Sequence, residues 1–277
     1  MLKLEDKDQE RLIAYVKEVT GITLDRSKSY LLESRLGPLV EELGCKDYGD
    51  LLAKARADRT GRVKDRIIDA ITTNETFFFR DTTPFELLRH KIFPDMFDRL
   101  EAAGKRTLNI WSAACSTGQE VYSIAIILRE LLGRDYSKWR IKILGTDISD
   151  SAISQASYGR YNRVEVSRGL TQDQIRKYFN PDGRYWRIKD EVRGDIVFRR
   201  MNLLEPFTGL PKFEVILCRN VAIYFSPEDR KSLFRRLADQ LVPGGVLLVG
   251  ASESLFDLTD RFERRSHMKA SYYVLKD

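Results

Sequence analysis

Apolar positions in residues 5–71 recur at helical spacing: Leu12, Ile13, Val16 and Val19 form one stripe, and Leu31, Leu32, Leu36, Leu39, Val40 and Leu43 form a second. Shorter stripes follow at Leu51-Leu52 and through Val63, Ile67, Ile68 and Ile71. This pattern predicts four short helices in a small bundle too thin to hold a large pocket alone. The Gly37-Pro38 pair is expected to kink or split the second helix.

The grammar changes at about residue 82. A helix carrying Phe85, Leu88, Ile92, Phe93, Met96 and Leu100 leads into a strand-like run, Thr107 to Trp111. Apolar runs at 141–145, 213–218 and 245–250 then alternate with helical patterns at 120–132, 149–156 and 227–241. Short, wholly apolar strands separated by helices are the signature of a doubly wound α/β sheet with a parallel core. Residues 262–266 and 271–275 are expected to close the domain as an antiparallel pair. Two alternating runs, 184–189 and 192–200, predict a hairpin joined at Asp190-Glu191 and inserted within about 160–200. The chain thus divides into a helical domain (1–72), a linker (73–81) and an α/β domain (82–277).

Composition narrows the chemistry. The 277 residues are 43% apolar and 32% charged, which suits packed cores. No run approaches a membrane span, and the N-terminal residues lack an apolar signal core, so a cytoplasmic protein without membrane insertion is expected. Cys45, Cys115 and Cys218 form no C-x-x-C pair, and they are read as reduced packing residues. With His90 and His267 as the only histidines, a three-histidine metal centre is excluded and a Ser-His-Asp triad is disfavoured. The net charge of +6 is uneven: residues 160–200 carry eleven Lys/Arg against six Asp/Glu, and Lys54, Arg56, Arg59, Arg62, Lys64 and Arg66 form a second basic run. Either patch is a solvated face or a landing site for an anionic partner.

Ligands of open α/β sheets sit beyond the C-terminal strand ends, where the strand order reverses. The first such end here is the small-residue turn Ser112-Ala113-Ala114-Cys115-Ser116-Thr117-Gly118-Gln119-Glu120, which has neither G-x-G-x-x-G nor a P-loop pattern. The next ends in Asp147, a carboxylate placed for the ribose hydroxyls of an adenosine or, alternatively, for capping the following helix, a job Ser149 does equally well. Met201-Asn202-Leu203 and Cys218-Arg219-Asn220 are polar strand ends of the same kind. Between the domains lies Asn74-Glu75-Thr76-Phe77-Phe78-Phe79-Arg80; three consecutive Phe cannot share one helix face, so some are expected to bridge the domains or wall a pocket.

Five of these motifs, N-E-T-F-F-F-R (74–80), S-A-A-C-S-T-G-Q-E-V-Y-S-I-A (112–125), G-T-D-I-S (145–149), M-N-L (201–203) and C-R-N-V-A-I-Y-F (218–225), with S-R-L (34–36), stand in order along nearly the whole chain. Together they resemble the chemotaxis receptor methyltransferases of the CheR family. Val121 and Ala222 depart from the Pro and the Met or Leu usual there. The resemblance implies S-adenosylmethionine as methyl donor, S-adenosylhomocysteine as product and receptor glutamates as acceptors, in sensory adaptation. It implies that Asn74, Thr76 and Arg80 lie along the cofactor. Glu120 and Asp147 would take its amino-acid end and ribose, and Asn202, Leu203, Arg219 and Asn220 would frame the adenosine. Arg80 and Tyr224 would be catalytic, with Tyr224 near the transferred methyl. Arg26, Lys28 and Arg35, then Lys54, Arg56 and Arg59, would meet the receptor's acidic methylation helices, and the inserted hairpin would capture a receptor tail peptide. The chain is expected to act as a monomer and without nucleic acid. The alternatives are a nucleic-acid methyltransferase, for which an Asn/Asp-Pro-Pro-aromatic strand end is missing, and a non-catalytic receptor-binding module of the same fold.

Overall fold

The computed structural model describes residues 3–268 and 270–276. Helices α1 (Asp6–Thr20), α2 (Ser29–Glu42), α3 (Tyr48–Ala57) and α4 (Arg62–Ile71) form the N-terminal bundle. The two long stripes meet inside it, where Leu12, Val16, Leu32, Leu36, Leu39 and Val40 are buried with Leu51, Leu52, Ile67 and Ile71. Pro38 lies inside α2 and does not split it, so of the expected kink or split the second does not occur. Burial of Leu36, Leu39 and Val40 on either side of the proline holds the helix together at the cost of one main-chain bond.

A long helical segment follows: α5 (Thr83–Leu87) passes through a π-turn at Leu88–Ile92 into α6 (Phe93–Ala102). The α/β domain then unfolds in order as β1 (Thr107–Ala113), α7 (Gln119–Leu132), β2 (Arg140–Asp147) and α8 (Asp150–Tyr158). The insertion comprises β3 (Arg160–Asn162), α9 (Arg163–Ser167), α10 (Gln172–Tyr178), β4 (Phe179–Asp182), β5 (Tyr185–Ile188) and α11 (Asp190–Arg193). The chain closes with β6 (Ile196–Arg200), β7 (Phe213–Cys218), α12 (Pro227–Gln240), β8 (Leu241–Val249), β9 (Phe262–His267) and β10 (Ala270–Leu275).

Seven strands make one sheet in the order β6-β2-β1-β7-β8-β10-β9. The first five are parallel, and β10 runs antiparallel to both β8 and β9. Strand alternation sends Leu108, Ile110, Val215 and Leu217 into one face and Trp111, Ala113, Ile216 and Cys218 into the other, so each face has its own helix-covered core. From β1 the chain steps outward through β2 to β6, and later from β7 to β8 on the opposite side. The strand order therefore reverses between β1 and β7, and a crevice opens there at their C-terminal ends.

The insertion differs from the expected hairpin. Its hairpin is β4-β5, joined at Gly183-Arg184, with β3 pairing to the other side of β5. Gly183 takes φ +62, the left-handed turn conformation that an Asp-Gly pair favours. Residues 196–200 leave the insertion and become β6, the parallel edge strand beside β2. The triple Phe segment also departs from expectation. Phe78 is fully buried edge-on to Tyr161 (5.1 Å) and Phe179 (5.6 Å), Phe79 meets Phe85, and Phe77 lies under Arg168 at 3.9 Å. These rings fasten the linker to the α/β domain and its insertion.

Candidate active site

The bundle packs over the crevice. Thr23 N–H donates to the Tyr224 carbonyl (2.8 Å), Asn202 Nδ2 to the Val19 carbonyl (3.4 Å), and the Ser149 hydroxyl to Asp69 Oδ1 (2.7 Å). Arg200 forms an ion pair with Asp65 and donates to the Ile148 carbonyl at 3.1 Å. The guanidinium holds the Asp65 carboxyl below its usual range. A cavity is enclosed between the domains, walled by the 22–35 region, the linker 71–76 and the ends of β1, β2 and β7.

Its floor is the turn after β1. Ala114 and Ser116 adopt φ of +63° and +49°, and their small side chains let the main chain approach a ligand closely. The Ser116 hydroxyl donates to the Asn74 carbonyl (3.0 Å), which ties the linker to that floor. Asp147, 7% exposed, ends β2: its Oδ2 accepts the Ser116 N–H (2.8 Å) and its Oδ1 the Ser149 N–H (3.0 Å). Burial raises the Asp147 pKa, against the lowering effect of these N–H groups. Each oxygen keeps a lone pair for a hydroxyl ligand. The following helix is capped by Ser149, not Asp147: the Ser149 hydroxyl accepts the Ala152 N–H at 3.1 Å.

Glu120, in the first turn of α7, accepts from the Ser112 hydroxyl (2.8 Å) and from Arg219 Nη1 (2.7 Å). Arg219 directly follows β7 with its side chain 2% exposed, and its Nη2 reaches Asp81 (2.8 Å) and the Arg80 carbonyl (3.1 Å). Its terminal nitrogens are thus taken up by Glu120 in the cavity wall and by the 80–81 turn beside it. Asn220 follows at φ +59°, its N–H and that of Val221 both caught by Glu253 at 2.7 and 3.0 Å.

Of the residues singled out in the sequence, Asn74, Thr76, Arg80, Glu120, Asp147, Leu203, Arg219, Asn220, Tyr224, Lys28 and Arg35 converge on this cavity. Asn202 is not part of its lining: it bonds the Leu204 N–H (2.9 Å) and reaches back to α1, so it shapes the turn beside the site. Arg35 donates to the Ile71 carbonyl and the Thr73 hydroxyl, pinning the linker. Arg26 pairs with Glu10 at the exposed edge of the bundle, and Arg56 and Arg59 lie exposed farther along it. Asp81 and Glu253 were missed by the sequence reading. Asp81 directly follows Arg80, but Glu253 gives little local signal because the cavity residues it holds, Asn220 and Val221, lie about thirty residues upstream.

A buried carboxylate with spare lone pairs, a main-chain floor of small residues and apolar walls from Ile148, Leu203 and Val221 suit a nucleoside bearing a charged amino-acid tail. The comparisons name such a ligand. Residues 74–271 match the model described as "CheR methyltransferase, SAM binding domain", and residues 7–72 match "CheR methyltransferase, all-alpha domain". The chemotaxis protein methyltransferase of Vibrio parahaemolyticus is 41% identical over 278 residues, covering 99% of each chain. Chemotaxis protein methyltransferase Cher2 of Pseudomonas putida is 38% identical, covering 92% of this chain and 93% of its own. The Escherichia coli chemotaxis protein methyltransferase is 31% identical, covering 100% and 93%. On its sequence, its α/β sheet and its helical cap, this chain belongs to the CheR methyltransferase family, with S-adenosylmethionine as its cofactor.

Proposed function

We propose that the protein methylates glutamate side chains of chemotaxis receptors, forming glutamyl methyl esters that reset receptor signalling. The observation that carries this reading is the make-up of the cavity: among the described residues no histidine lines it, and burial pushes the thiol of Cys115 well above the ordinary range. A glutamate acceptor is ionised at neutral pH and needs no base to remove a proton. When bound, the cofactor would supply a methyl group on a sulfonium, and its transfer from sulfur to the carboxylate oxygen would cancel both charges. A water-poor cleft favours such charge cancellation, and the bundle packed over the crevice covers part of it. Alignment of acceptor and methyl then provides most of the rate.

Within this reading Asp147 takes the ribose and Glu120 the ammonium end, with Asn74 and Thr76 alongside, while Leu203 and Asn220 border the adenine, with Arg219 behind them. Arg80 lies alongside the cofactor with Asn74 and Thr76 and also steers the acceptor carboxylate, and Tyr224 stands near the methyl. Arg26, Lys28, Arg35, Arg56 and Arg59 give the bundle a cationic face for an acidic helix. The Arg26–Glu10 pair is exposed, so exchanging it for a receptor carboxylate costs little. In the three-stranded insertion β3 and β4 are the edges, and either offers main-chain groups to a receptor tail peptide. Within this reading the protein acts as a monomer in the cytoplasm; no helix among the described residues is long and apolar enough to cross a membrane.

The test is peptide mass spectrometry after incubating the protein with cofactor and a purified receptor cytoplasmic fragment. A methyl group on glutamate, lost when that glutamate is replaced by alanine, supports the proposal; methylation of nucleic acid, or of another side chain, contradicts it.

A further inference from the structure

Arg80 lines the cavity, whereas its neighbour Asp81 does not. The Asp81 carboxylate instead accepts from Arg219 Nη2 at 2.8 Å, and the same nitrogen donates to the Arg80 carbonyl at 3.1 Å. Arg219 Nη1 holds Glu120 at 2.7 Å, and the guanidinium carbon lies 5.5 Å from the Phe85 ring centroid. One buried cation therefore grips the main chain of Arg80, the side chain of the next residue and an acid of the cavity wall.

The grip acts on a strained segment. Phe79, Asp81 and Thr82 take φ of +54°, +67° and +41°, three non-glycine residues in the left-handed region within four positions. Such a run persists only where its surroundings over-determine it. On one side the Phe79 N–H is fixed by the Ser123 hydroxyl at 3.0 Å; on the other stands Arg219. Between these anchors Arg80 extends its guanidinium back to the Glu75 carbonyl at 2.7 Å, across the linker that walls the cavity.

We infer that Asp81 is a positioning residue: through Arg219 it fixes the turn that presents Arg80 to the cofactor cavity. This rests on the reading of Arg80 as a residue that contacts the cofactor. With a neutral side chain at 81, Arg219 is balanced by Glu120 alone, and the Arg80 turn loses its charged anchor. Asp81→Asn keeps size and tolerates the left-handed conformation, so it isolates the charge.

The experiment is a double-mutant cycle read by calorimetric binding of S-adenosylhomocysteine, without any acceptor. Asp81→Asn is expected to weaken binding about tenfold, and Arg80→Ala at least as much. The double variant is expected to bind no more weakly than Arg80→Ala alone, because Asp81 acts through Arg80. Wild-type affinity in Asp81→Asn, or a double variant weakened by the product of the two single effects, overturns the inference. Asp81→Gly, which also accepts the turn, replaces the Asn variant if that fails to fold. Arg80→Lys serves if binding by the Ala variant is too weak to measure. Since no receptor enters the assay, a failure of receptor methylation leaves this result standing, and the reverse also holds.

Discussion

Glu253 holds the backbone of Asn220. Its carboxylate accepts the N–H groups of Asn220 at 2.7 Å, Val221 at 3.0 Å and Gly250 at 2.7 Å, joining the loops after β7 and β8 under one wall of the cavity. Asn220 is left-handed, and the side chain it presents to the cavity is aimed by this main-chain clasp. Replacing Glu253 by Ala leaves three main-chain donors to find water. We expect a stability loss of about 3 kcal/mol and weaker cofactor binding, measured by urea unfolding and calorimetry. Unchanged binding in the folded variant would show that the clasp does not set the cavity.

Gly169, between α9 and α10, has φ +102°, and a Cβ there would lie 1.8 Å from the Phe78 carbonyl oxygen. The insertion and the linker touch main chain to main chain at this point. Gly169→Ala is expected to cost about 3 kcal/mol or more and to dislodge Phe78 from Tyr161 and Phe179. Thermal melting checks this, and a variant melting like the wild type would contradict the contact.

Burial raises Asp147 above the ordinary value of 3.8, so the folded protein binds this proton more tightly than the unfolded chain does. Between 3.8 and the raised value, stability therefore falls as pH rises, and above that window the penalty is constant. Removing the group removes its slope. Comparing urea unfolding at about pH 4 and about pH 7, we expect the wild type to lose more stability on the alkaline side than Asp147→Ala does. An equal or opposite difference would contradict the shift. Cofactor affinity should weaken on acidification at a higher pH than an ordinary aspartate would dictate, since the neutral acid is a poorer acceptor of ribose hydroxyls.

The three thiols are buried, and burial raises the pKa of each, those of Cys115 and Cys218 furthest. The thiolate is the reactive form. Native protein at mildly alkaline pH is expected to react slowly with a thiol reagent, and all three thiols should appear on denaturation. Rapid labelling of Cys115 in the native state would show that the floor of the cavity opens.

The parts of this structure that could be read from sequence are those set by short-range periodicity. Runs such as 213–218 are apolar on both faces because helices cover both sides of the sheet, and Asp147 and Asn220 mark strand ends because polar groups interrupt those runs. Misreadings arose where partners are distant. Residues 196–200 alternate like a hairpin arm, yet they pair with Ile143 to Asp147, and the Asp182-Gly183 turn was the local clue to the true hairpin. Pro38 stays inside α2 because tertiary burial outweighs a local breaker. Arg219, marked as a cleft residue because it is charged at a strand end, does line the cavity, but its bonds to Glu120 and Asp81, 99 and 138 residues away in the chain, gave no local signal.

The most direct test of the central claim is to incubate the protein with methyl-labelled S-adenosylmethionine and receptor-bearing membranes, then treat the receptor band with alkali and collect volatile methanol. We expect base-labile label on the receptor with wild-type protein and none with Asp147→Ala. Label that resists alkali, or no transfer by a protein that binds its cofactor, would contradict glutamate as the methyl acceptor.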